Sequence, residues 1–143
     1  MFKNVMMVCV GNICRSPIAD AYLKTRCPEI NVFSSGLGAL VGKPADNKSV
    51  ELMKIRGIDI SSHRAQQINS ALVAKSDLIL TMQQEHVDFI HERFPSSMGK
   101  VYLIGKWLNN REIMDPFGGD IADFKKSSEI IFAGIDSWVK KIK

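Results

Sequence analysis

The sequence predicts an α/β fold: one three-layer domain over residues 1–143, with a central four-stranded parallel sheet and helices on both faces. Three observations carry this expectation. Four short apolar runs, each closed by a turn signal, alternate with segments of helical pattern. Hydrophobic residues make up 45% and charged residues 24% of the 143 positions, a balance that sustains one buried core at this length. No internal repeat, low-complexity tract or linker interrupts the alternation.

Val5–Cys9 is a continuous apolar run suited to a strand buried on both faces, and Gly11-Asn12 closes it. Ser16-Pro17 opens a helix through about Arg26, with Ser16 read as its N-cap and Pro17 as its first residue. Asn31–Ser34 is the second strand, followed by a glycine-bearing loop to Pro44. A helix from about Asp46 to Arg56 stops at Gly57. Asn69–Ala74 is a short helix, Asp77–Thr81 the third strand, Gln84–Arg93 a helix and Val101–Ile104 the fourth strand. Arg111–Asp120 is a loop carrying Asp115-Pro116, and a last helix runs from about Asp123 to Lys140. His86 and His91 are expected at the solvent or a groove edge. The methionines and Phe89 are expected in or near the core. Ligands of such sheets bind beyond the carboxyl ends of the strands, near a reversal of strand order. That directs attention to the loops after Cys9, Ser34, Thr81 and Ile104.

The formal charge of +4 is spread along the chain, which argues against a nucleic-acid partner and suits a small anion or an acidic peptide. Three cysteines without a Cys-x-x-Cys pair, and three histidines that do not join them at zinc spacing, argue against a disulfide framework and a structural metal. No apolar run approaches the ~20 residues that span a bilayer, and Val5–Val10 is too short for a signal segment. The expectation is a cytoplasmic protein, a monomer or weak dimer, without cofactor, metal or membrane insertion.

The segment Cys9-Val10-Gly11-Asn12-Ile13-Cys14-Arg15-Ser16 joins the first strand to a helix N-terminus. A loop of this length can curl so that its N–H groups converge, the helix adds its positive end, and Gly11 permits close approach. The product is an oxyanion cradle of phosphate size. Arg15 can fork two hydrogen bonds onto such an anion. Cys9, at the base and ringed by donors, is placed to act as a thiolate nucleophile. Read singly, Cys9 is a buried strand end and Arg15 a surface residue; their place between strand and helix start favours the cradle.

The run VCVGNICRSP resembles the signature loop of the low-molecular-weight protein tyrosine phosphatases. Asp115-Pro116-Phe117 is similar to that family's second motif, and similar segments recur at Ser34-Ser35-Gly36, at Ser62-His63-Arg64-Ala65 and from Asp77 to Met82. The stretch GLGALVGK from Gly36 to Lys43 is similar to the bacterial branch that works beside tyrosine autokinases in capsule and exopolysaccharide export. The resemblance implies hydrolysis of phosphotyrosine through a cysteinyl phosphate. Cys9 is then the nucleophile, Arg15 the clamp on the phosphate oxygens, and Asp115 the general acid and later the base. Val10, Gly11, Asn12, Ile13, Cys14, Arg15 and Ser16 bind the substrate, with Leu40 and Phe117 against its ring. Asn12, partnered by Ser34 and His63, holds the loop in a strained shape. Ser16 donates to the thiolate, and Cys14 can form a reversible disulfide with Cys9. The implied partners are phosphotyrosine proteins, above all the tail of a membrane-bound tyrosine autokinase.

Phe117 and Gly118 stand where many members carry tyrosines, and Leu40 is smaller than the aromatic of the eukaryotic branch. Two other functions share the cradle. A thiol-dependent arsenate reductase needs two further cysteines downstream, and none follows Cys27. A non-catalytic phosphate-binding module has no use for Asp115. A nucleotide-binding P-loop lacks its Gly-Lys-Ser/Thr after Gly11.

Overall fold

In the computed structural model, which describes residues 2–143, the chain forms β1 (Asn4–Cys9), α1 (Arg15–Arg26), β2 (Asn31–Gly36), α2 (Asn47–Ile55), α3 (Ser70–Lys75), β3 (Leu78–Thr81), α4 (Gln84–Arg93), β4 (Val101–Leu103) and α5 (Ile121–Ile142). The strands make one sheet in the order β2-β1-β3-β4. All pairings are parallel, and Val8 of β1 faces Ser35 on one side and Thr81 on the other. The chain steps from β1 outward to β2, then crosses back to add β3 and β4 on the opposite side. The order therefore reverses at the carboxyl end of β1, where such sheets open a crevice.

Successive strand residues point to opposite faces, so a strand covered on both sides must be apolar throughout. Val5, Met7 and Cys9 join Leu78 and Leu80 against one layer, built from α1, α2 and α5 with Leu23, Met53 and Ile131 at its centre. Met6, Val8 and Ile79 face the other layer, with Val73 of α3 and Val87 and Ile90 of α4. This double coverage explains the unbroken apolar run that begins the chain.

Capping shifts two helix starts from the sequence expectation. α1 begins at Arg15 with Cys14 as its N-cap, so Ser16 and Pro17 lie inside the first turn. Pro17 is tolerated there because the first four amides of a helix have no intrahelical acceptor. The hydroxyl of Ser16 is thereby released from capping. α5 begins at Ile121 because Asp120 and Asp123 form a reciprocal capping box, Asp120 accepting from Asp123 N at 3.1 Å and Asp123 from Asp120 N at 3.2 Å. α2 has its cap at Asp46, and Gly57, with φ +77°, follows its end as expected. Phe89, Met98 and Met114 are exposed rather than part of the core. Among the described residues, no helix is long and apolar enough to cross a membrane.

Candidate active site

A cavity of about 180 Å³ occupies the crevice at the end of β1, with Cys9, Arg15, Leu40, Asp115 and Phe117 among its walls. The shape of the 10–14 loop follows from where its carbonyls go. Cys9 O accepts from Leu37 N at 2.9 Å, Val10 O from Gly38 N at 3.0 Å, and Gly11 O from Leu40 N at 3.1 Å. Asn12 O accepts from His63 Nε2 at 2.7 Å, Ile13 O from Asp46 N at 2.8 Å, and Cys14 O from Ser49 Oγ at 3.0 Å. Six successive carbonyls are thus tied to the surrounding loops. In a trans peptide the N–H points away from the C=O, so the amides of residues 11–14 turn inward, toward the cavity. Among the described residues, none of those four amides donates to a protein acceptor. Gly36 closes the packing beneath, since a Cβ there would lie 2.5 Å from Val10 O.

Asn12 adopts φ +60°, a left-handed conformation that costs free energy unless its surroundings enforce it. Its side chain does so: Nδ2 donates to Ser16 Oγ at 2.7 Å and Ser34 Oγ at 3.0 Å, and Oδ1 accepts from Gln66 N at 2.9 Å. Ser16 Oγ in turn lies 3.0 Å from Cys9 Sγ. The structure thus brings Asn12, Ser34 and His63 together as the sequence led us to expect. It corrects one placement: the side chains of Asn12 and Ser16 are fully buried behind the loop and do not line the cavity. Their polar atoms are consumed in holding the loop and the sulfur.

Arg15 is only 2% exposed. Its Nη1 donates to Gln83 Oε1 at 2.7 Å and to Ile113 O at 2.8 Å, both neutral acceptors that orient the guanidinium without cancelling its charge. Nε has no partner, and Nη2 stands 3.8 Å from Asp115 Oδ2. The protein holds one nitrogen and leaves Nε and Nη2, an edge that can fork onto an oxyanion. Asp115 is half exposed; its Oδ1 accepts from Phe117 N at 3.0 Å, and Oδ2 is the oxygen nearer Arg15. Its loop is pinned by Ile113 N on Met82 O at 2.9 Å, Gln84 N on Glu112 Oε2 at 2.7 Å, and Ser127 Oγ on Met114 O at 2.8 Å. Gln83, Gln66 and Ile113 were not singled out from the sequence. For Gln83 the available signal was its place just past β3, in one of the loops flagged for ligand binding.

His86 departs from the sequence expectation. It is 2% exposed, and neither ring nitrogen has a partner. Burial and then the Arg15 charge push its pKa down to about 4, with Asp115 and Glu112 opposing. Cys14 lines the cavity as a buried thiol. Burial, followed by the negative charges of Asp46, Cys9 and Asp115, pushes it up to about 12 against the pull of Arg15. Among the described residues, no three His, Cys, Asp or Glu side chains cluster as a metal centre.

The model of the family described as "Low molecular weight phosphotyrosine protein phosphatase" matches residues 4–143. The chain belongs to this family. The phosphatase is 43% identical over 143 residues to a Ralstonia nicotianae protein named "Probable low molecular weight protein-tyrosine-phosphatase EpsP", covering 100% of this chain and 98% of that one. Vibrio vulnificus Wzb, solved in complex with benzylphosphonate, shares the fold at a TM-score of 0.96 with 35% identity and 99% coverage of both chains. The YwlE arginine phosphatase from Geobacillus stearothermophilus matches at a TM-score of 0.91 and 31% identity, over 97% of this chain and 92% of that one. The four-stranded α/β architecture and the family read from VCVGNICRSP both hold. The protein is a phosphoric monoester hydrolase of the low-molecular-weight protein-tyrosine-phosphatase type.

Proposed function

We propose that this phosphatase removes phosphate from tyrosine side chains of proteins in two displacements at Cys9. In the first, Cys9 Sγ attacks phosphorus, the S–P bond forms, and the bond to the phenolic oxygen breaks as Asp115 delivers a proton to it. In the second, Asp115 takes a proton from water, the water oxygen bonds to phosphorus, and Cys9 leaves as thiolate toward the Ser16 hydroxyl. The inward amides of residues 11–14 and the Nε/Nη2 edge of Arg15 hold the three equatorial oxygens in both steps. The observation that carries this reading is the outward tethering of six successive carbonyls, which aims a ring of amides into the cavity above Cys9.

The walls favour an aryl ester. Ile13, Leu40 and Phe117 offer apolar surface to a ring. A phosphoarginine, the other substrate class suggested by a solved neighbour, brings guanidinium N–H donors that need acceptors, and Asp115 is the one side-chain carboxylate in the wall. The ring-bearing ligand of the Vibrio vulnificus relative agrees with the aryl reading. We extend the proposal to the physiological target: the tyrosine-bearing tail of a membrane-bound bacterial autokinase of polysaccharide export, met from the cytoplasmic side. The three free cysteines suit that compartment.

Hydrolysis of p-nitrophenyl phosphate with EDTA present, by the wild type and by Cys9→Ser, tests the chemistry. Turnover by the wild type alone supports it; equal turnover removes Cys9 as nucleophile. Matched phosphotyrosine, phosphoserine and phosphoarginine peptides test the substrate, and comparable rates on all three would exclude the aryl-selective pocket.

A further inference from the structure

Both hydrogens of Arg15 Nη1 go to acceptors that carry no formal charge, one to Gln83 Oε1 at 2.7 Å and the other to Ile113 O at 2.8 Å. Both acceptors depend on one place in the fold, the exit of β3. Thr81 ends that strand beside Val8 of β1, Met82 O accepts from Ile113 N at 2.9 Å, and Gln83 follows at once. Met82, Ile113, Arg15 and Gln83 therefore close a ring of contacts in which Gln83 is the side-chain acceptor. A guanidinium has no acceptor of its own, so the amide oxygen of Gln83, not its nitrogen, must face it.

Few charges answer that of Arg15. Among the described residues, the one carboxylate within ion-pair distance is Asp115, 3.8 Å from Nη2 and half exposed. In the proposed first displacement Asp115 carries the proton it is about to give, so it holds no charge when the phosphoryl group arrives. His86, in the first turn of α4, has its amide on Gln83 O at 3.0 Å and its buried ring unpartnered. Burial and then the Arg15 charge keep that ring neutral, against Asp115 and Glu112. Arg15 is thus a buried cation whose neighbours at 83, 86 and 113 surround it without neutralising it. A buried charge without a counter-charge is unfavourable, and the incoming oxyanion is the partner that relieves it.

We propose that Gln83 is a positioning residue whose neutrality sets how strongly the cavity holds the phosphoryl oxyanion: it fixes the guanidinium by one hydrogen bond and leaves the whole positive charge for the substrate. The proposal rests on the reading of Arg15 as the clamp on the phosphate oxygens. A carboxylate at position 83 would make the same bond and, in a site shielded from water, share the charge. Phosphate oxygens on Nε and Nη2 would then meet a guanidinium already paired. An apolar side chain of similar length would leave the charge intact and loosen the orientation. Charge and orientation are therefore separable at this one position.

Gln83→Glu and Gln83→Met, each compared with the wild type on p-nitrophenyl phosphate at one pH, separate them. Gln83→Glu should raise the inhibition constant of inorganic phosphate, and KM with it, by about tenfold. Gln83→Met should chiefly lower kcat, by about fivefold, because a misplaced guanidinium serves the transition state poorly. The ring of His86 supplies a readout that packing alone does not move. Followed by NMR, its titration should stay near pH 4 in Gln83→Met and rise by about one pH unit in Gln83→Glu, where the new carboxylate offsets the Arg15 charge. Unchanged phosphate inhibition in Gln83→Glu, or equal weakening by Glu and Met with His86 unmoved, would overturn the role of charge. Should Gln83→Glu fail to fold, Gln83→Met decides, since an undiminished kcat would overturn the role of Gln83. A wild type that inorganic phosphate does not inhibit would overturn the reading of the cavity itself, and the proposal with it.

Discussion

The hydroxyl of Ser16 lies 3.0 Å from Cys9 Sγ and accepts from Asn12 Nδ2 at 2.7 Å, so when Cys9 is a thiolate, with no hydrogen of its own to give, Ser16 is the donor to the sulfur. A strained asparagine thus holds in place the hydroxyl that faces the sulfur. The bond to sulfur matters most when Cys9 departs as thiolate from the cysteinyl phosphate. Hydrogen bonds to charged groups contribute about 1.5–3 kcal/mol, so Ser16→Ala should slow breakdown of the intermediate by roughly tenfold or more. Rapid mixing with p-nitrophenyl phosphate should show a burst of p-nitrophenol in the variant. Slow turnover without a burst would place the role of Ser16 in the first step.

Asp115 should matter in proportion to the proton its leaving group needs. Asp115→Asn is expected to lose about 10²–10⁴-fold on phosphotyrosine and much less on an aryl phosphate whose phenol is already acidic. Steady-state kcat on the two substrates measures this. Equal losses would make the 3.8 Å approach of Asp115 to Arg15 a structural contact only.

His86 gives the fold a pH dependence of known sign. In the unfolded chain its imidazole takes up a proton near pH 6.5, while in the folded protein it stays neutral down to about pH 4. Between these values the unfolded state binds more protons. The contribution of His86 to stability is therefore complete above pH 6.5, is lost as pH falls through the window, and levels off below about 4. The part of this loss that falls between pH 7 and pH 5 is on the order of 2 kcal/mol. His86→Leu should flatten this part of the profile, measured by urea unfolding at pH 7 and pH 5. An unchanged slope would assign the titration to another group.

Cys14 should respond to oxidation slowly. Peroxide converts the Cys9 thiolate to a sulfenic acid, and a Cys14 thiolate can then displace hydroxide from it to close a disulfide. With the Cys14 thiol held near 12, very little thiolate is present at neutral pH. Closure is expected to accelerate about tenfold per pH unit between 7 and 9. Peptide mass mapping of quenched samples follows the Cys9–Cys14 link, and Cys14→Ser should lose thiol-reversible recovery. A pH-independent rate would show that Cys14 is not the attacking thiol.

Legibility of the site in the sequence tracked chain distance. β1, its loop and α1 are contiguous, so Cys9, Arg15 and the inward turn of the loop could be read from one segment. Asp115 was legible through its Asp-Pro turn. Gln83 and Ile113 were not, because they meet Arg15 only once β3 has been laid beside β1. Ser16-Pro17 misled the helix start because proline satisfies any position in a first turn whose amides have no acceptor. His86 was misplaced because, read as a pair with His91, it did not reveal that it shares a face with Ile90, four residues on and fully buried.

The central position of β1 bears on how this protein fails. β2 and β4 are the edge strands, β2 bonded on its outer side at Gly36 to the 66–68 segment, whereas β1 is bonded along both sides. Amide protons of Met6, Met7 and Val8 should exchange with deuterium only through global opening, while those of β4 exchange through smaller, cheaper fluctuations. Because the nucleophile sits at the end of one of the two inner strands, catalysis and cooperative unfolding should share one midpoint under denaturant. Damage to the periphery would then be tolerated in full until the whole molecule opens at once.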